Sequence, residues 1–194
     1  MEIIKDPKEK NFTTLKVALI GDTSMGKTTF LYRLFSQNYL NFLEKKEYIQ
    51  NTNGASYRTI YIKIKVRIFL LDLWDTAGLR KYSSLIKHFY KDAKIILIFY
   101  DPFDKSSFKR VDEILYQINS EDIKNVIIGL ISNKYDKNLE NINNENIISD
   151  EETLEYVDKH KLYFSHLSNF VKYETGINQI FELILKEYLK REKK

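Results

Sequence analysis

The sequence predicts an α/β domain: a doubly wound, mostly parallel six-stranded sheet with one antiparallel edge strand and helices on both faces. Three observations carry that expectation. Short apolar runs alternate with stretches of helical periodicity along the 194 residues, the pattern of a parallel sheet with crossover helices. Ile60, Ile62, Ile64 and Val66 alternate with polar neighbours and are followed at once by the more continuously apolar Ile68–Leu73, as in an edge strand hairpinned to an inner one. Between the first apolar run and the first helical pattern stands Gly21-Asp22-Thr23-Ser24-Met25-Gly26-Lys27-Thr28. This G-x-x-x-x-G-K-[ST] loop sits in the strand-to-helix context that its chemistry requires.

Residues 1–13 are polar and are expected to be frayed, with the first strand at Leu15–Ile20. Phe30, Leu31, Leu34 and Phe35 recur at helical spacing and place a first helix over about Lys27–Gln37. The irregular stretch Asn38–Thr52, with its charged Glu44-Lys45-Lys46-Glu47, reads as a functional surface loop. The hairpin that follows has no glycine at its turn, which leaves the turn type open; its second strand delivers Trp74-Asp75-Thr76-Ala77-Gly78 at its C-terminal end. A helical segment around Ser84–Lys91 precedes the apolar strand Ile95–Tyr100. Phe108, Val111, Ile114, Leu115 and Ile118 mark an amphipathic helix entered through the cap-rich run Asp104–Ser107.

The next buried strand, Val126–Ile131, ends in Ser132-Asn133-Lys134-Tyr135-Asp136, and the Asn-rich Lys137–Ile148 reads as an exposed insertion. Ser149 and Glu152 form a capping box for a helix reaching about His160. A short strand, Leu162–Leu167, and a C-terminal helix with Ile177, Ile180, Phe181, Ile184, Leu185 and Tyr188 on its apolar stripe complete one domain over 1–194. Residues 190–194 form a basic tail, read as a solvated helix end or a weak membrane-surface contact.

Composition narrows the classes. A formal net charge of +4, with lysines spread along the chain, points to no nucleic-acid surface. There is no cysteine, so disulfides, thiolate metal sites and thiol lipidation have no residue to use, and Glu2 rules out myristoylation. No apolar run is long enough to span a bilayer and no signal-peptide core opens the chain, so a cytoplasmic protein is expected.

The chemistry begins at the glycine-containing loop. A strand turning sharply into a helix aims several backbone N–H groups into one small space, and those donors and the helix dipole together suit phosphate oxygens. Gly21, Asp22, Thr23, Ser24, Met25, Gly26, Lys27, Thr28 and the adjoining Thr29 are the candidate phosphate cradle. Lys27 would reach the β- and γ-phosphates as a point charge, and the Thr28 hydroxyl would coordinate a bridging Mg2+. Asp75, at a strand's carboxyl end, is placed to hold the same ion directly or through a water.

Asp75-Thr76-Ala77-Gly78 and Asn133-Lys134-Tyr135-Asp136 are weak patterns singly, but their order and spacing from the phosphate loop make the set specific. With Leu73-Trp74-Asp75-Thr76-Ala77-Gly78 and Phe89-Tyr90-Lys91-Asp92-Ala93, nearly the whole chain resembles the Ras superfamily of small GTPases, and within it the Rab branch. The resemblance implies the P-loop small GTPase fold, GTP and GDP as ligands, Mg2+ as cofactor and GTP hydrolysis as the activity. It implies that Thr52 meets the metal and the γ-phosphate only in the GTP state, and that the Gly78 N–H meets the γ-phosphate. Asn133 and Asp136 would then read guanine, with the Lys134 stem packed beneath the base. The last base-contacting loop aligns with either Ser168-Asn169 or Lys172-Tyr173-Glu174, and Ser168 is the working assignment. Tyr39, Phe42 and Tyr48 are aromatic lids on the base or plain loop packing.

The catalytic expectation rests on Lys27, Thr52, Gly78 and Leu79, and the last departs from the family, which places glutamine there to orient the attacking water. Leucine can neither donate to nor accept from water, so slow or impaired hydrolysis is expected. Ser24 stands where most Rab proteins have glycine. The resemblance further implies a monomeric switch in vesicle traffic that meets effectors, exchange factors and activators through its switch regions and hairpin. Without a lipid anchor it would reach endomembranes peripherally, through partners. Two other readings remain: a GTP-bound scaffold without useful turnover, separable by single-turnover hydrolysis, and a P-loop kinase, separable by comparing GTP with ATP binding.

Overall fold

The computed structural model describes residues 1–4, 7, 11–35, 52, 54–78, 88–121, 123, 125–133, 147–162, 164–167 and 174–193, with 164–167 and 174–176 described by backbone alone. In chain order the elements are β1 (Glu2–Ile4), β2 (Thr13–Ile20), α1 (Lys27–Phe35), β3 (Ala55–Ile64), β4 (Arg67–Thr76) and β5 (Ile95–Tyr100). They are followed by α2 (Lys105–Ser120), β6 (Ile127–Ser132), α3 (Asp150–Lys159), β7 (Phe164–Leu167) and α4 (Glu174–Arg191).

One sheet runs in the order β1-β3-β4-β2-β5-β6-β7. The pairs from β4 across to β7 are parallel, while β3 lies antiparallel to β4 and β1 antiparallel to β3. The mostly parallel, doubly wound expectation therefore holds, with seven strands in place of six. The added strand corrects the frayed N-terminus: Glu2 pairs with Lys63 and Ile4 with Tyr61. Three residues are too few to display a period, and Ile3 stays 41% exposed, so the strand left no apolar signature. Phe12 packs edge-on to Tyr61, ring centroids 5.3 Å apart, and ties the segment before β2 to the same edge.

Alternation along the buried strands splits the core into two layers. Leu15, Val17 and Leu19 of β2 and Leu97 and Phe99 of β5 face α1 and α4, meeting Phe30, Phe181 and Ile184. Ala18, Ile20, Ile96, Ile98 and Tyr100 face the other way, against Val111, Leu115 and Ile118 of α2. The period of two thus requires a helical layer on each face of the inner strands. Asp104 caps α2 by accepting from the Ser106 N–H, and Ser149 and Glu152 form both halves of the capping box on α3. At the hairpin turn Lys65 takes a left-handed φ of 55°, an unusual conformation for lysine, and Val66 stands 87% exposed at the tip.

Chain order reverses at β2, which lies between β4 and β5. In open α/β sheets ligands bind outside the strand carboxyl ends at such a switch point, and there the loop after β2 meets the ends of β4 and β6.

Candidate functional site

The β2–α1 loop folds around Lys27. Its buried ammonium donates to the carbonyls of Gly21 (2.7 Å) and Asp22 (2.8 Å), which hold the side chain across the loop's mouth. Burial lowers its pKa to about 8, with Asp75 and then Asp22 pulling the other way. The first turn of α1 carries no acidic residue, so the positive end of that helix is uncompensated by its own side chains. Gly26 adopts φ 82°, and a Cβ there would stand 2.0 Å from Asn133 Nδ2, so only glycine fits.

Three oxygens from three separate segments meet beside Lys27. Thr28 Oγ1 donates to Asp75 Oδ2 at 2.6 Å, Thr52 Oγ1 donates to the same oxygen at 3.1 Å, and the two hydroxyls are 2.9 Å apart. Asp75 is fully buried, and its Oδ1 has no hydrogen-bond partner. Burial raises the pKa of this carboxyl, against the Thr28 hydrogen bond, Lys27, Thr52 and Arg58 in that order. A buried carboxylate oxygen without a partner next to two converging hydroxyls fits a hard, oxygen-seeking cation such as Mg2+. Among the described residues there is no group of three or more His, Cys, Asp or Glu side chains that could hold a metal. A cation here would therefore complete its shell with phosphate oxygens and water, as Mg2+ commonly does.

Gly78 closes the site from the β4 side. A Cβ on it would lie 2.1 Å from both Asp22 C and Thr23 N, so this backbone presses directly on the β2–α1 loop. The Ala77 N–H donates to Gly54 O at 2.8 Å, linking the segment after Thr52 to the one before Gly78. Ser24 is exposed and takes φ 64°, a left-handed conformation open to glycine at no steric cost and disfavoured for serine.

Asn133 follows β6, and its Nδ2 donates to Met25 O at 2.7 Å while its backbone N–H donates to Tyr100 O at 3.0 Å. Its side chain thus braces the β2–α1 loop. Lys134, Asp136 and Ser168 lie outside the described residues, as do Leu79, Arg80, Tyr39, Phe42 and Tyr48 and most of the loop before Thr52.

Two features went unread in the sequence. Arg110 on α2, 11% exposed, brings Nε within 3.4 Å of Asp22 Oδ1 and also pairs with Glu113. Asp22 thereby touches Lys27 and Gly78 through its backbone and α2 through its carboxylate. A lone arginine on an amphipathic helix carries no periodic signal, so only the packing reveals it. The second feature is an aromatic row on the surface beside the site. Tyr57 and Trp74 lie 5.0 Å apart, Trp74 and Phe89 5.7 Å apart, and Lys16 Nζ stands 5.3 Å from the Trp74 ring. Trp74 and Phe89 stood in the motifs already noted, but a contact between residues so far apart in sequence is a property of the fold.

The family model described as the Ras family matches residues 16–190. Among curated proteins, the chain is 29% identical to the Ras-related protein RABG3f of Arabidopsis thaliana over 182 residues, covering 92% of this chain and 84% of the relative. It is 29% identical to the Ras-related protein RGP1 of Oryza sativa subsp. japonica over 172 residues, covering 89% and 70%. It is 27% identical to RABA4a of Arabidopsis thaliana over 190 residues, covering 95% and 79%.

Proposed function

The chain belongs to the Ras family of small GTPases, in its Rab branch, and from that premise we propose that it is a nucleotide-dependent switch that binds GTP and GDP with Mg2+ and hydrolyses GTP slowly. The observation that carries this reading is the convergence of Thr28, Thr52 and Asp75 within 2.6–3.1 Å of one another beside the Lys27 ammonium. Lys27 would exchange its two carbonyl partners for β- and γ-phosphate oxygens. Thr28, Thr52 and Asp75 would hold the Mg2+, which when bound neutralises charge on those oxygens. Because Thr52 and Gly78 stand on separate segments, a γ-phosphate that contacts both would favour one arrangement of the two, and its loss would release them.

Asn133, Lys134 and Asp136 would read guanine, with Ser168 contributing to the base pocket. Adenine would leave a base-facing carboxylate unpaired, a mismatch of the kind that sites reject by roughly 10⁴- to 10⁵-fold. At Leu79 the water-orienting glutamine is missing, so intrinsic turnover is slow. The row of Tyr57, half exposed, with Trp74 and Phe89 suits a partner surface, since partly exposed aromatic clusters anchor interfaces. We assign effectors and regulators to that row and the neighbouring switch segments, and the pathway to vesicle traffic at cytoplasmic membranes.

The nucleotide that co-purifies, followed by single-turnover hydrolysis of GTP, tests the proposal. Recovery of guanine nucleotide and slow GDP formation are expected. Recovery of ATP alone would overturn the base assignment, and the absence of turnover even in Leu79→Gln would replace the switch with a GTP-bound scaffold.

A further inference from the structure

The end of the sheet remote from Asp75 carries a surface of a different kind. The β3–β4 turn and the last two turns of α4 enclose two adjoining grooves of about 520 and 480 Å³ that share Ile64, Lys65, Leu189 and Lys193. Arg67 and Glu192 join the hairpin to the helix by an ion pair, and Phe69 packs edge-on to Tyr188 at 6.1 Å. The floor is aliphatic, and among the described residues the walls hold five cations, Lys65, Arg67, Lys186, Lys190 and Lys193, against the carboxylates Glu187 and Glu192, with Glu182 paired to Lys186 beside them. Val66 projects from the rim between Lys65 and Arg67, nearly fully exposed.

We propose that this face, the hairpin tip with the end of α4, docks the protein onto an anionic lipid surface. Charge complementarity selects the sign of the partner, and side-chain chemistry selects its class. Among the described residues no serine, threonine, asparagine, glutamine or tyrosine lines either groove, so few neutral hydrogen-bonding groups are there to orient a peptide or a small ligand. Flexible cations around an exposed aliphatic tip match headgroup charge and an apolar interior without directional recognition. The exposed cations of Lys186, Lys190 and Arg67 pair with Glu182, Glu187 and Glu192 at the surface, and headgroup phosphates can replace such partners. Arg67 and Asp75 lie eight positions apart along β4, roughly 25 Å, so docking would leave the opposite end free for partners. The 194 residues hold no cysteine to carry a thiol-linked lipid, and no helix among the described residues is long and apolar enough to cross a membrane. The proposal does not rest on the nucleotide reading.

Co-sedimentation of the full chain with vesicles of about 30% phosphatidylserine in phosphatidylcholine, against phosphatidylcholine alone, tests it. Binding to the anionic vesicles only, weakened by added salt, is expected. Lys65→Glu combined with Lys190→Glu should reduce it at least about 25-fold, taking each lost cation as about fivefold. Val66→Asp should reduce it about tenfold. Thermal melting checks that each variant folds, and Leu183→Ser, a second surface change at the groove, serves if either fails. Equal binding to neutral vesicles, unchanged binding of the folded variants, or no sedimentation with either vesicle would overturn the proposal. Binding of polyglutamate without vesicle binding would also overturn it, in favour of an acidic protein partner.

Discussion

At the C-terminal end of β4, Asp75 shares one carboxylate oxygen with two hydroxyls inside a buried cradle, whereas at its N-terminal end Arg67 reaches Glu192 across an exposed surface. The same ten-residue strand supplies both. At the first end polar atoms are few and directional, and the loop beside them is packed so closely at Gly26 and Gly78 that a Cβ on either would collide with its neighbours. At the second they are numerous, long and solvated. The difference teaches what each end can recognise: fixed donors and acceptors distinguish one ligand from another, while mobile cations distinguish only charge.

Lys27→Ala should separate the two ends most strongly. On the proposed reading, loss of this buried ammonium should weaken guanine nucleotide binding about 10²- to 10³-fold in a fluorescent-nucleotide titration. Vesicle binding should be unchanged, and a parallel loss of both would mean that the two ends are not independent. Next comes pH. The Lys27 pKa is lowered to about 8 without ligand, and a bound phosphate would raise it, so nucleotide binding takes up a proton between the two values. Affinity should therefore fall as pH rises above about 8, by at most tenfold per pH unit. The same lowered value means that the unfolded chain binds more protons between about 8 and 10.5, so the Lys27 contribution makes the nucleotide-free protein more stable as pH rises through that window. A flat affinity profile would show that Lys27 does not face the phosphates.

A smaller effect is expected at Arg110, beside the β2–α1 loop. Arg110→Ala removes the cation that holds Asp22 from α2, and nucleotide release should quicken about three- to tenfold, in line with about 0.5–1.5 kcal/mol for a partly buried pair. Arg110→Lys should recover part of the loss, and equal release rates for the native and alanine proteins would reduce the contact to packing. Smallest is Ser24→Gly, which relieves a left-handed serine and should stabilise the protein by about 0.5–1 kcal/mol in denaturant titration. Destabilisation would mean that the Ser24 hydroxyl makes a contact worth more than the strain.

Much of this molecule was legible in its sequence because the physics behind it is local. The alternation of Ile60, Ile62 and Ile64, the capping box at Ser149 and Glu152, and the phosphate loop between β2 and α1 each depend on neighbours a few residues away. β1 escaped notice because edge pairing uses backbone groups that every residue carries. The hairpin turn escaped because Lys65 adopts a conformation expected of glycine or asparagine.

Adjacent positions alone carried the order of the elements from β2 onward, the family resemblance and the candidate residues for a phosphate or a cation, since periodicity and short motifs are local. It took the folded chain to bring Thr28 and Thr52 onto one oxygen of Asp75, Gly78 against Asp22, Arg110 to the β2–α1 loop, and the cations of the hairpin and α4 onto one face. Those contacts join segments tens of residues apart. Their geometry follows from how the two core layers seat the helices on the sheet, a result of packing the whole chain at once that no local pattern encodes.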